Sequence, residues 1–128
     1  MKTKYGQNKK FITKDGSIIR ELMHPVAHIS AGLNVKNQSL AEATVPVGVA
    51  TALHAHTLTE ELYHVTSGEG LMTLDEKQFD VTVGDTVCIP PGTPHCIKNT
   101  GDSDLKILCC CSPAYSDDDT QLLDSGTV

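Results

Sequence analysis

The stretch Gly48–Gly68, GVATALHAHTLTEELYHVTSG, decides the fold. His54 and His56 stand two residues apart, so on a strand both imidazoles face the same way. Glu61 opens the next strand-like run, Glu61–Thr66. A second stretch, Gly84–Asn99, reads GDTVCIPPGTPHCIKN and puts His95 directly after a proline-rich turn. Prolines at 90, 91 and 94 cannot occupy a central strand, so 90–94 is a loop, and Pro90 and Pro94 limit where His95 can go. These four side chains are too far apart in sequence for one loop. Neighbouring strands lie only about 5 Å apart, so a β-sandwich can bring a His-pair strand, a Glu strand and a His strand together.

The rest of the chain supports that architecture. Strand-like runs rich in Val, Ile, Leu and Thr recur at Ser17–Met23, Leu40–Val47, Leu71–Leu74, Gln78–Val83, Thr86–Ile89 and Leu105–Cys111. Turn signals separate them, among them Asp15-Gly16, Gly68, Gly84-Asp85 and Asn99 to Asp102. Phe79, Val81 and Val83 alternate with polar residues and so share a face. No long helix is legible. Many short strands at this spacing predict an all-β sandwich or barrel.

Both quoted stretches resemble the two sequence motifs of the cupins. The first motif is Gly, five residues, His-x-His, a short spacer, Glu, six residues, Gly; here it runs through Gly48, His54, His56, Glu61 and Gly68. The second is matched by Gly84, Pro90, Gly92, His95 and Asn99. The resemblance implies a single-domain jelly-roll barrel (a double-stranded β-helix). It also implies that His54, His56, Glu61 and His95 ligate one divalent transition metal. Three imidazoles and a carboxylate suit Mn, Fe, Co, Ni, Cu or Zn and are too nitrogen-rich for Ca or Mg. In an octahedral ion they leave two positions for water, oxygen or substrate. Small cupins resemble dioxygenases, isomerases, decarboxylases and lyases of small oxygenated or carbonyl compounds. The preferred expectation is a dioxygenase-like oxidoreductase. The alternatives are an isomerase, decarboxylase or lyase that needs no oxygen, or a non-catalytic module that holds a small ligand or metal.

Parity along Glu60–Val65 turns Glu61, Tyr63 and Val65 inward and Glu60 and His64 outward. Tyr63 is then the candidate catalytic group beside the metal. His24 and His28 read as structural. Arg20, the sole arginine, is the candidate substrate-binding cation; its other expected role is pairing with an acid across the sheet. Asn99 is expected to hydrogen-bond nearby backbone. The five cysteines read mainly as small hydrophobes, with Cys109 and Cys111 on one face and Cys110 on the other. If that pair faced the interior, it would form a soft or redox-sensitive patch.

The chain has 128 residues, 39% of them hydrophobic and 20% charged, which fits one globular domain and excludes a disordered chain. Its net charge of −6 argues against nucleic acid and anionic membranes as partners, leaving a small molecule. An odd cysteine count and a basic N-terminus without an apolar run predict a reducing, cytoplasmic setting. Residues 15–112 are expected to form the barrel. Residues 1–14 are expected to be an arm, disordered or exchanged with a neighbour, and 113–128 an acidic tail. Uncovered sheet edges predict a homodimer.

Overall fold

Alternating side chains build the strands. In Leu105–Ser112 the side chains of Leu105, Ile107, Cys109 and Cys111 are buried and those between them are not. The same period-two pattern marks Glu60–Ser67, where Glu61, Tyr63 and Val65 point in. The structure, a computed structural model, describes residues 2–29 and 35–123. Eleven strands are described: β1 (Lys10–Ile12), β2 (Ile18–Met23), β3 (Ser39–Val45), β4 (His54–His56), β5 (Glu60–Ser67), β6 (Glu69–Leu74), β7 (Lys77–Thr82), β8 (Thr86–Ile89), β9 (His95–Asn99), β10 (Leu105–Ser112) and β11 (Thr120–Leu122).

They form two antiparallel sheets packed face to face, the jelly roll expected from the sequence. One has the order β1-β2-β3-β10-β5-β8, the other β11-β4-β9-β6-β7. Met72, Ile97, Leu105 and Ile107 fill the core between them, each at most 2% exposed. Full burial of such a side chain contributes roughly 1.5–3 kcal/mol. Asn99 ties the layers together: its amide donates to the carbonyls of Val45 and Ser103 (both 2.8 Å), and its own oxygen accepts from Gly101 N. No helix among the described residues is long and apolar enough to cross a membrane.

Both ends of the chain carry a short strand. The arm packs on its own barrel, with β1 paired to β2 through Lys10↔Arg20 and Ile12↔Ile18. The acidic tail contributes β11, paired to β4. Its aspartates look like a solvated run in sequence, yet Asp119 accepts hydrogen bonds from Leu58 N and Thr59 N and so anchors the segment. Met1 and residues 124–128 of these two expected segments lie outside the described residues. Phe79 and Val83 are exposed although Val81 beside them is buried, because β7 is an edge strand that the opposite sheet only partly covers.

Candidate metal centre

The two sheets contribute different donors. His54 and His56 lie on β4 and His95 begins β9; His54 and His95 are directly paired across the five-stranded sheet. One ring nitrogen from each of the three histidines falls within 4.8 Å of the others. Glu61 reaches in from β5 of the facing sheet, its Oε1 3.2 Å from His56 Nε2 and 3.5 Å from His95 Nε2. All four residues are buried, and His95 is 0% exposed. Gly92, with φ of 78°, turns the proline loop so that its N–H bonds His56 O (2.6 Å). That bond seats the loop carrying Thr93 against β4.

The hydrogen bonds around the rings fix their tautomers. His54 Nδ1 donates to Ala52 O (2.8 Å) and His95 Nδ1 to Thr93 O (2.9 Å), since a carbonyl can only accept. His56 Nδ1 lies 2.9 Å from Thr120 Oγ1, whose own proton goes to Ser116 O (2.9 Å), so here too the ring donates. With Nδ1 donating, Nε2 of each ring is the atom left for a metal ion. Glu61 Oε1 and His95 Nε2 are buried without a hydrogen-bond partner, acceptor facing acceptor. Only a positive species between them, a proton or a metal ion, relieves that contact. The donor set and its supporting acceptors fit a divalent transition ion.

Charges in the site are strongly perturbed. Burial pushes the Glu61 carboxyl up, but hydrogen bonds and positive charge from His56 and His95, when a proton rather than a metal ion sits between them, outweigh it and bring it down to about 2. Burial, then the charge of His95, lowers His54. Burial and the Glu61 charge push the Tyr63 phenol and the thiols of Cys109 and Cys111 upward, so all three are neutral. Cys111 Sγ donates to Glu61 Oε2 at 3.3 Å, leaving Oε1 for the imidazoles.

A cavity of about 40 Å³ opens beside these groups, roughly three times what one water needs. Small residues of β3, namely Ser39, Ala41 and Ala43, create the room, and Ile97 and Ile107 line it with apolar surface. No Lys or Arg lines it among the described residues.

Glu61 and Tyr63 face inward as their parity predicts, with the Tyr63 ring 6.0 Å from that of His95. Glu60 points out, and His64 is half-buried outside, bonded to Thr86 Oγ1. His24 and His28 hold structure: His24 Nδ1 accepts from Val26 N, and His28 Nδ1 accepts from His24 N. Arg20 is not brought to the site. Its guanidinium lies over the Tyr5 ring (4.2 Å) and bonds the carbonyls of Tyr5 and Asn8, so neither an anionic ligand nor an acid across the sheet occupies it. Sequence reasoning missed Asp15, Thr120 and Tyr115, which all line the cavity. Asp15 was legible only as half of a turn, and the other two lie in a segment that reads as a polar tail.

A family model described as a cupin domain matches residues 41–111. An uncharacterised protein of Methanocaldococcus jannaschii is 56% identical over 124 residues, covering 97% of this chain and 95% of that one. An oxalate-binding protein of Thermotoga maritima is 31% identical over 85 residues, 65% of this chain and 70% of the relative. Among solved structures, an oxalate decarboxylase of Bacillus subtilis superposes over 96% of this chain with a TM-score of 0.79 and 21% identity. The likeness is one of fold, and the chain spans only 32% of that enzyme's length.

Proposed function

This chain belongs to the cupin family, and from that premise we propose that it holds one divalent transition-metal ion through His54, His56, His95 and Glu61 and uses it on a small oxygenated or carbonyl compound. The observation that carries this reading is the convergence of ring nitrogens from His54, His56 and His95, with an unpartnered Glu61 oxygen facing His56 and His95. When bound, such an ion polarises a ligand oxygen as a Lewis acid. The chain's own residues supply the rest. Glu61 and the imidazoles fix the ion, Tyr63 offers a neutral phenol to the ligand, and Ile97 and Ile107 exclude bulk water. The preferred reaction remains a dioxygenase-like oxidation, carried out by a homodimer in a reducing cytoplasm. The second reading, a binding module without turnover, is favoured by the relative named as an oxalate-binding protein.

Elemental analysis of purified protein tests the site: we expect about one transition metal per chain, and near-complete loss in His56→Ala. A wild-type chain that cannot be loaded refutes the assignment. The function is tested with small diketones, keto acids and enediols while oxygen uptake and product are followed. Oxygen use in step with substrate loss supports the oxidation. Substrate loss without oxygen moves the reading to an isomerase, decarboxylase or lyase. Tight binding with no product moves it to the module.

A further inference from the structure

Asp15 stands on the other flank of the histidines from anything the cupin motifs supply. It sits in the turn before β2, with its Oδ2 3.3 Å from His54 Nε2. It is buried and rigidly held. Its Oδ1 accepts from Thr13 Oγ1 (2.5 Å), Ser17 Oγ (2.7 Å) and Ser17 N (3.0 Å), and its backbone carbonyl accepts from Ala52 N (2.8 Å). Oδ2 takes no other hydrogen bond and faces His54 Nε2, and Asp15 lines the cavity. Glu21 lines the same cavity, and its Oε1 is buried with no partner. The nearby cations are committed elsewhere: Lys14 Nζ donates to Asp117 O and Thr120 O, and Arg20 holds the N-terminal segment.

A ligand that reaches the ion on the His54 side therefore meets a fixed carboxylate acceptor and no Lys or Arg. Oxalate presents only acceptors and two negative charges, so an oxygen on the His54 side would face the Asp15 carboxylate. A compound with a hydroxyl next to its metal-binding oxygen donates a hydrogen bond from that hydroxyl to Asp15 instead. We infer that Asp15 is a specificity residue that selects small α-hydroxy carbonyl or α-hydroxy acid ligands and disfavours dicarboxylate dianions. This rests on the metal-site reading above.

The test compares oxalate and glycolate by calorimetry on zinc-loaded protein, wild type against Asp15→Asn. Oxalate is expected to bind the wild type no tighter than glycolate. In Asp15→Asn one charge is gone and an amide donor replaces an acceptor. The affinity ratio should therefore shift toward oxalate by roughly tenfold or more, given the strength of charge interactions a few ångströms apart in a buried site. A ratio that stays the same, or a wild type that prefers oxalate, overturns the inference alone. If Asp15→Asn does not load, Asp15→Ala takes its place. If neither variant holds zinc while the wild type does, Asp15 is a metal ligand rather than a selector, and the inference falls. A wild type that takes up no zinc overturns the site reading itself, before any ligand is added.

Discussion

Glu61 has its two oxygens assigned to different neighbours: the Cys111 thiol holds Oε2, and Oε1 is left to the imidazoles. Each histidine is steered by an acceptor on Nδ1: carbonyls within the two motif stretches for His54 and His95, and Thr120, far outside them, for His56. Thr120 is the side chain among those acceptors, so it can be removed without touching the backbone. Thr120→Val keeps the volume but leaves His56 Nδ1–H unpaired. Metal affinity, measured by competition with a chromogenic chelator, should fall by about 10- to 100-fold; unchanged affinity would show that Thr120 does not orient the ring. The same shell sets a pH dependence for the metal-free chain. Folding lowers His54 below its ordinary value of 6.5, so the unfolded state takes up that proton more readily and stability falls as pH drops below 6.5. Folding also lowers Glu61 from 4.5 to about 2, so its stabilisation is complete above 4.5 and is lost as pH falls toward 2. Both effects have the same sign. Glu21, raised by burial, opposes them only above 4.5. Below 4.5 the transition temperature of metal-free protein should decline with acidification, and a rise there in thermal unfolding would contradict the assigned environment of Glu61.

The central strands were legible because alternation and motif spacing coincide. In β5 a single parity argument places Glu61, Tyr63 and Val65 inside, and β10 repeats it with Ile107, Cys109 and Cys111. The same argument left open which face Cys109 and Cys111 would take; they face the cavity, neutral and buried. The strands that escaped are β1 and β11, three residues each, too short to show a period. β1 is held by its ladder with β2, and β11 by its ladder with β4 and by the Asp119 bonds, which depend on a segment about 60 residues away and leave no local signal. Asp15 escaped for the same reason, since its inward turn is fixed by the Ala52 amide. The turn between β5 and β6 is where sequence and structure agree most sharply. Gly68 has φ of 81°, and a Cβ there would lie 2.7 Å from Asp104 O and 3.0 Å from Leu105 Cα. Gly68→Ala combines a left-handed backbone, costing about 1–3 kcal/mol, with a clash against backbone. Urea denaturation should show a loss of at least that size, and a loss under about 0.5 kcal/mol, the level of an ordinary surface change, would mean the turn yields easily.

At the scale of the whole molecule, the outer surface of the six-stranded sheet carries an unusual row. Register places Leu40, Cys110, Leu62 and Cys88 side by side across β3, β10, β5 and β8. Cys110, Leu62 and Cys88 are exposed, with Leu62 at 41%. The barrel's interior already holds the site, so burying this row requires something outside it. A second copy does so with the fewest assumptions: two rows meeting about a two-fold axis would cover each other and the free edge of β8. We therefore expect a homodimer by light scattering, and a monomer mass after Leu62→Glu, which places a charge at the centre of each row. The dimer should survive chelation, because the row lies on the face of the sheet opposite the metal donors. Dissociation on metal removal would mean instead that the site, rather than the outer face, holds the subunits together, and a wild-type monomer at micromolar concentration would rule out the assembly altogether.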